Sequence, residues 1–276
     1  MGGDDTLRSC KDPAPARIYG ILAREAPVAV LFRRGPSQYV QVIRWDTEAD
    51  TFEQGQWFYG RIYEHRGDLT PDGKYMVYFA ASRSREREKH KQTWTAVSKP
   101  PWLTALAMWW KGDSWSGGGL FPDGRTLMLN DPKLEFPFVE EPKVPGCPFG
   151  VGTLLLSVGE EWPIEAERLE RDGWGFTETE SGHYILRKSH DGYVLTAYPQ
   201  FRYNEYTLTS PGGQVVVLND IPWAEWDQRG RLVAARKGCV LAASPEEAVA
   251  GEWTELIDLS PNKPNRRKSP SWARSW

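Results

Sequence analysis

The amino-acid sequence predicts an all-β fold, a five-bladed β-propeller with about four antiparallel strands in each blade. Repetition is the first reason: a strand, a tight turn ending in glycine and an apolar strand recur at residues 68–79, 119–129 and 226–234. Composition is the second reason. The chain holds 26 Gly and 21 Pro, which favour short turns over long helices, and 13% aromatic residues, which suit pleated surfaces.

The spacing of the turns predicts the number of blades. Aligned on their turns, five units begin their second strands near Pro27, Gly73, Gly124, Gly182 and Gly230, at intervals of 46, 51, 58 and 48 residues. A further 46 residues follow Gly230. A period near 50 that holds four short strands is typical of propeller blades.

Each unit can be divided into strands by its apolar runs and turn residues, with clear period-two alternation at 39–45. In the first two units we expect strands at 17–22, 27–33, 39–45, 51–59, 61–69, 74–81, 93–98 and 103–110. In the other three we expect strands at 115–121, 125–130, 174–178, 183–188, 193–198, 214–218, 222–227, 231–236, 240–243 and 253–259.

Two internal segments fall outside this strand pattern. A helix is predicted at 162–171, with Glu165, Glu167, Arg168 and Glu170 on a solvated face. Five prolines in the stretch 131–150 exclude a central strand along its whole length and predict an excursion over one face.

The propeller is predicted to occupy residues 17–259, between two tails. Residues 1–16 form the N-terminal tail and residues 260–276 the C-terminal tail, because both are rich in Pro, Ser or charge. The C-terminal tail also carries Trp272 and Trp276, so we expect it to fold back on the body.

Charge and cysteine content limit the partners and the compartment. A net charge of −3 gives no general attraction to nucleic acid or anionic lipid, and the basic run 83–91 reads as a solvated loop. We therefore expect no membrane contact and regard nucleic acid as an unfavoured partner. Cys10, Cys147 and Cys239 form no CxxC pair, and the N-terminus has no apolar leader, so a cytoplasmic location is predicted.

The turn motif resembles a known propeller repeat. The sequence TPDGKY at 70–75 is similar to the TolB-type repeat, a relative of the tryptophan–aspartate repeat, in which a Ser/Thr-Pro-Asp-Gly turn joins the first two strands of a blade. Residues 122–125 and 227–231 repeat the motif. The chain also resembles single-domain bacterial propeller proteins. This resemblance implies the fold and leaves the function open.

Candidate ligand-binding residues are those expected to face the central channel or to offer an aromatic surface. The predicted innermost strand of the second unit carries several charged groups, among them Asp68. When the units are aligned on their turns, Glu225 of the fifth unit falls at the same position as Asp68. Trp115 precedes a run of three glycines and could stack on a sugar. The candidates are His65, Arg66, Asp68, Trp115 and Glu225. The alternative is structural: the charges neutralise one another, and the Trp covers a blade edge.

No catalytic residue, metal ligand or cofactor is predicted. Asp68 and Glu225 are two acids in register, but no third acid accompanies them as a glycosidase propeller would need. The four His residues form no HxH or HExxH motif, and no Ser lies in a GxSxG context.

We therefore expect a non-enzymatic binding or scaffold propeller that mediates an interaction with a protein partner. One alternative is a carbohydrate-binding or glycoside-acting propeller with its ligand in the central channel. A polar channel floor would favour that alternative, and a channel filled by apolar side chains would exclude it. Another alternative is an accessory propeller subunit of a multi-gene bacterial system.

Overall fold

The computed structural model describes residues 15–35, 38–84, 91–130, 145–154, 162–199 and 204–276. Within these ranges it confirms the all-β class, with twenty strands and two short α-helices. The first half holds β1 (Arg17–Leu22), β2 (Val28–Arg34), β3 (Tyr39–Asp46), β4 (Thr51–Ile62), β5 (Asp68–Leu69), β6 (Met76–Ser82), β7 (Thr93–Ser98), β8 (Ala107–Trp110), β9 (Gly119–Leu120), β10 (Thr126–Asn130) and β11 (Gly150–Leu154).

The second half begins with a helix. It holds α1 (Trp162–Arg171), β12 (Gly175–Glu178), β13 (Tyr184–His190), β14 (Tyr193–Pro199), β15 (Asn204–Thr209), β16 (Val215–Leu218), β17 (Trp223–Trp226), β18 (Leu232–Arg236), β19 (Cys239–Ala243), α2 (Pro245–Ala250) and β20 (Thr254–Asp258). Short 3₁₀ turns cover Glu64–Arg66 and Ser271–Arg274.

The described strands form four sheets with mainly antiparallel pairing. The first has the order β1-β2-β3-β4-β6-β7-β8, with β5 added on β6. Strand β4 joins its two halves, because its earlier part pairs with β3 and its last three residues pair with β6. The others are β9-β10-β11, β12 to β16 and β17 to β20, and β11 runs parallel to β10. These sheets do not close into a barrel.

Apolar side chains pack between successive sheets. Val30 and Phe32 of β2 share one core with Tyr78 and Trp94 of the second half of the first sheet. Further cores lie between that half and β9–β11, and between the third and fourth sheets. Trp223 of β17 packs with Ile18, Leu31 and Trp45, so the last sheet contacts the first.

Three turns that connect paired strands share one type of aspartate hydrogen bond. Asp72, Asp123 and Asp227 each accept a hydrogen bond at Oδ1 from the backbone N–H two residues later, at 3.1, 2.7 and 3.0 Å. They lie between β5 and β6, β9 and β10, and β17 and β18. Gly73 and Gly230 follow with φ of +68° and +74°, the left-handed region that glycine enters without steric cost. The three turn glycines were predicted to be equivalent, but Gly124 has no left-handed φ, so the correspondence holds for Gly73 and Gly230 alone.

Several strand predictions are wrong, and those at 103–110 and 115–121 shorten to β8 and the two-residue β9. Residues 61–69 do not form one strand, because the chain leaves β4 after Ile62, makes a 3₁₀ turn at Glu64–Arg66 and resumes as the two-residue β5. That turn is closed by the backbone N–H of Arg66, which donates to the carbonyl oxygen of Tyr63. The fourth unit has five strands rather than four, since β15 was not predicted.

The helix at 162–171 is confirmed, but its orientation differs from the expectation. Glu167 and Glu170 are exposed, whereas Glu165 and Arg168 are only 7% and 3% exposed. Both buried side chains contact the hydroxyl of Tyr19 on β1, a partner that the sequence alone does not reveal. Helix α2 was not predicted, although Ser244 and Glu247 form a capping box at its start.

Residues 260–276 lie against the sheets. Arg267 donates to the carbonyl oxygen of Gln54, and the Thr104 hydroxyl donates to Ser269. Trp276 packs on Phe149. The predictions for most of the N-terminal tail, for residues 131–144 of the proline-rich stretch and for 85–90 of the basic run fall outside the described residues.

Candidate functional site

A cavity of about 490 Å³ lies between β1, α1, the third sheet and β17, and we call it the α1 cavity. Its size is within the usual range for small-molecule sites. Aromatic lining is contributed by Tyr19, Trp174, Tyr206, Trp223 and Trp226. Charged lining is contributed by Arg24, Glu165, Arg168, Arg171, Asp172, Lys188, Glu225 and Asp227. A wall with both characters can contact apolar and polar parts of one ligand.

Helix α1 supplies much of the polar wall because of its sequence spacing. Glu165, Arg168 and Arg171 follow one another at three-residue intervals, which places them along one side of the helix. Ile164 beside them is fully buried and anchors the same region. The helix therefore presents a charged stripe to β1 and β5 rather than to solvent.

A chain of hydrogen bonds links α1 to β1 and to the 3₁₀ turn. Arg168 Nη2 donates to the Tyr19 hydroxyl, which donates to Glu165 Oε1 at 2.8 Å. His65 Nδ1 lies 2.7 Å from the same Glu165 oxygen, and its ring packs at 4.3 Å from the Tyr19 ring. Three separate elements are thereby joined at one carboxylate.

The environment sets the protonation states of this chain. Burial favours the neutral form of Glu165, but His65, Arg168 and the Tyr19 hydroxyl outweigh it and hold its pKa below 4.5. Burial raises the pKa of Tyr19 well above its ordinary value, although Arg168 opposes the shift. At neutral pH Glu165 is therefore a carboxylate and Tyr19 a neutral phenol.

Asp68 is neutralised by α1. Its Oδ2 accepts hydrogen bonds from Arg171 Nη1 at 2.5 Å and from the backbone N–H of Phe121 at 2.7 Å, and its Oδ1 accepts from Arg171 Nη2 at 3.1 Å. Arg171 also contacts Asp172 at 2.8 Å. Burial raises the pKa of Asp172, and the negative charge of Asp68 adds to the shift despite Arg171.

Glu225 lies on the opposite wall and is also held by fixed partners. Its Oε2 accepts a hydrogen bond from Trp174 Nε1 at 2.8 Å, and its Oε1 lies 3.0 Å from Lys188 Nζ. Lys188 comes from β13, so this contact ties the third sheet to the fourth.

The structure brings together three of the five predicted ligand-binding residues. Glu225 lines the α1 cavity, while Asp68 and His65 contact the lining residues Arg171 and Glu165. The expected pairing among Arg66, Asp68 and Glu225 is wrong for both acids, because their cations come from α1 and β13. His65 was predicted to lie on an innermost strand, and this is also wrong because it lies on the 3₁₀ turn.

The other two predicted residues lie elsewhere. Arg66 is buried, donates to the carbonyl oxygen of Ser114 at 3.0 Å and lies over the rings of Tyr63 and Phe79. Trp115 is 57% exposed, and its backbone N–H donates to Asp113. Neither Arg66 nor Trp115 lines the α1 cavity.

Sequence reasoning did not identify most of the cavity wall. The residues it missed include Tyr19, Glu165, Arg168, Arg171, Trp174 and Lys188. One available signal was the three-residue spacing of the charges on α1, which marks a common face as readily as an apolar stripe does. The partners on β1 and β13 have no such signal, because their proximity depends on the packing of separate sheets.

The described residues contain neither a cluster of metal ligands nor a membrane-spanning helix. No group of three or more His, Cys, Asp or Glu side chains converges there in a way that could hold a metal ion. Neither α-helix in these ranges has the length and apolar character that crossing a membrane requires.

Comparison with protein-family models gives no match for this sequence, and comparison with curated proteins gives none either. Its function is therefore inferred from the geometry and chemistry of its own residues.

Proposed function

We propose that this chain is a non-enzymatic binding protein with a five-bladed propeller frame, and that it holds a protein partner in the bacterial cytoplasm. The frame is supported by the recurrent acidic turns and by the contact of the last sheet with the first. Cytoplasmic location is supported by the free thiols of Cys147 and Cys239.

A binding role is favoured over glycoside hydrolysis by the state of the acids. A glycosidase needs one carboxyl group as a proton donor and a second as a nucleophile or base. Asp68 is held by Arg171 and a backbone N–H, Glu165 by His65 and Tyr19, and Glu225 by Lys188 and a Trp N–H. Each of these three acids therefore has at least two structural contacts.

The observation that carries the protein-binding proposal is the exposed edge strand β16. Val215 and Val217 lie two residues apart on the same face, at 60% and 58% exposure. Among the described strands, β16 pairs with β15 alone, so its other edge has unpaired backbone groups. Such an edge can accept an extended segment of another protein as an additional strand. Val215 and Val217 would then contact apolar side chains of that added strand.

A capture experiment from the native host, with partners identified by mass spectrometry, tests this proposal. The V215K/V217K double variant should lose a partner that the wild type retains, because lysine at an edge opposes strand addition. Val151→Lys is the matched control, since Val151 is an exposed valine on β11. Retention of the partner by the double variant would contradict the proposal. A partner encoded beside this chain would indicate the accessory subunit of a multi-gene system.

Ligand binding in the α1 cavity is a second candidate function, favoured by the cavity itself. Its polar wall agrees with the channel alternative, and its indole and phenol rings offer stacking surfaces for a sugar or another small molecule. Titration with glucose and maltose, followed by calorimetry, tests the saccharide form of this candidate. The Trp226→Phe variant should weaken any such binding without unfolding the protein.

A further inference from the structure

The cations of the α1 cavity differ in whether they have an acidic partner. Arg171 and Lys188 form salt bridges with Asp68 and Glu225, respectively. Within the part of the chain that the structure describes, the two other lining cations, Arg24 and Arg168, form no salt bridge. Among those residues, neither guanidinium group contacts a carboxylate directly, although Glu165 and Asp68 lie close enough to Arg168 to favour its charged form.

Arg168 is buried with most of its hydrogen-bonding capacity unused. It is 3% exposed, lies over the Tyr19 ring at 5.6 Å and donates to the hydroxyl of the same residue. Its Nε has no hydrogen-bond partner. A guanidinium group has five N–H donors, and leaving buried donors unsatisfied costs free energy. Because that Nε is fully buried, an acceptor that arrives from the cavity would be bound by the terminal Nη atoms of Arg168.

Arg24 is fixed at the same cavity by neutral acceptors. Its Nη1 and Nη2 atoms donate to the carbonyl oxygen of Pro122 at 3.1 Å, and Nη2 also donates to that of Phe121 at 3.1 Å. Its Nε has no partner. The carbonyl groups orient the guanidinium without cancelling its charge.

The acids on the wall make their direct contacts with other side chains. Glu165, Glu225 and Asp227 contact His65, Lys188 and Arg231, respectively. Asp172 shares Arg171 with Asp68, and burial favours its neutral form. With the direct contacts assigned in this way, Arg24 and Arg168 are the two lining cations among the described residues that touch no carboxylate.

We infer that the α1 cavity binds a small molecule with an oxyanion group, a carboxylate or a phosphate, which pairs with Arg168 and is attracted by Arg24. Guanidinium groups bind both kinds of oxyanion through paired N–H donors. The rest of the ligand contacts the indole rings of Trp174, Trp223 and Trp226. This inference rests on the second candidate function and specifies the chemical class of its ligand.

The test uses malonate and inorganic phosphate as probes, in calorimetric titrations and melting curves of the full chain at ionic strength matched with NaCl. At least one probe should bind the wild type and raise its Tm. R168M and R24M should each weaken that binding by about tenfold or more. R125M is the matched control, because Arg125 is exposed and lies outside the cavity. Comparison of the two probes distinguishes a carboxylate ligand from a phosphate ligand.

Titrations with glucose and maltose distinguish the oxyanion inference from the broader proposal that the α1 cavity binds a small molecule. Saccharide binding that R168M and R24M leave unchanged, with no response to either anion, would overturn the oxyanion inference and retain ligand binding in the cavity. Absence of binding by all four probes up to about 10 mM would overturn both. Equal anion binding by R24M, R125M and the wild type would also contradict the inference. R24M decides the outcome if R168M does not fold, because Arg24 is only half-buried.

Discussion

Arg171 and Asp68 form a two-point salt bridge across 103 residues of sequence, with contacts of 2.5 and 3.1 Å. The bridge ties helix α1 to β5, and the Phe121 backbone N–H donates to the same carboxylate. The helix that lines the α1 cavity is therefore fixed beside β5 and the end of β9 by one buried acid.

The first prediction concerns that acid. Asp68→Ala should destabilise the protein by about 3 to 5 kcal/mol, because it leaves the guanidinium group of Arg171 without its main partner in a largely buried position. Chemical denaturation followed by circular dichroism measures the change. Lys74→Ala is the control: Lys74 is exposed and pairs with Asp72 at the surface, so Tm should not change. Equal stability of D68A and the wild type would show that the bridge does not anchor α1.

The second prediction compares two turn glycines that the repeat aligns. Gly73 has φ of +68°, and an added Cβ would lie 2.8 Å from the Cβ of Val28. Gly124 has no left-handed φ and has no atom within 4 Å of the same position. Gly73→Ala should therefore cost more than about 1 kcal/mol in unfolding free energy. Gly124→Ala should be neutral or slightly stabilising, and an equal loss in both variants would contradict the distinction.

These turns also show how much of the fold was predictable. Pro, Asp and Gly act on the local backbone, so their spacing predicted the strand pairs at β5–β6, β9–β10 and β17–β18. Helix α1 was predictable for the same local reason. Strand β15 and the parallel pairing of β11 were not, since they depend on contacts between distant segments.

The site was less predictable than the fold. Register between units placed Asp68 and Glu225 near the same region, and both do contact the wall or lie in it. Their partners, Arg171 and Lys188, come from elements whose docking the sequence does not encode locally. Arg66 and Trp115 were chosen by residue type and neighbourhood, and the 3₁₀ turn and an exposed loop direct them away from the cavity.

The third prediction concerns acid pH. The pKa of Glu165 is lower in the folded protein than its ordinary value of 4.5, and that of Asp50 is lower than 3.8. Stability from a lowered carboxyl pKa is present above the ordinary value and is lost as pH falls through the folded value. The free energy of unfolding should therefore fall as pH drops below about 4.5.

The Glu165→Gln variant isolates one part of this dependence. It should reduce the slope of unfolding free energy against pH below about 4.5, relative to the wild type. Glu167→Gln is the control, because Glu167 lies on the exposed side of the same helix. The pKa of Asp172 is raised and acts in the opposite direction, so the slopes of the two variants should be compared rather than absolute stabilities. Identical slopes would refute a role for Glu165.

The last prediction separates the two tryptophans of the C-terminal segment. Trp276 donates from Nε1 to the carbonyl oxygen of Pro145 at 2.6 Å and packs on the rings of Tyr75 and Phe149. Trp272 is 49% exposed. Trp276→Ala should lower the unfolding free energy by about 1 to 3 kcal/mol through lost burial of its ring, while Trp272→Ala should change it by less than about 0.5 kcal/mol. Urea denaturation measures both variants, and equal effects would show that Trp276 does not hold the segment in place.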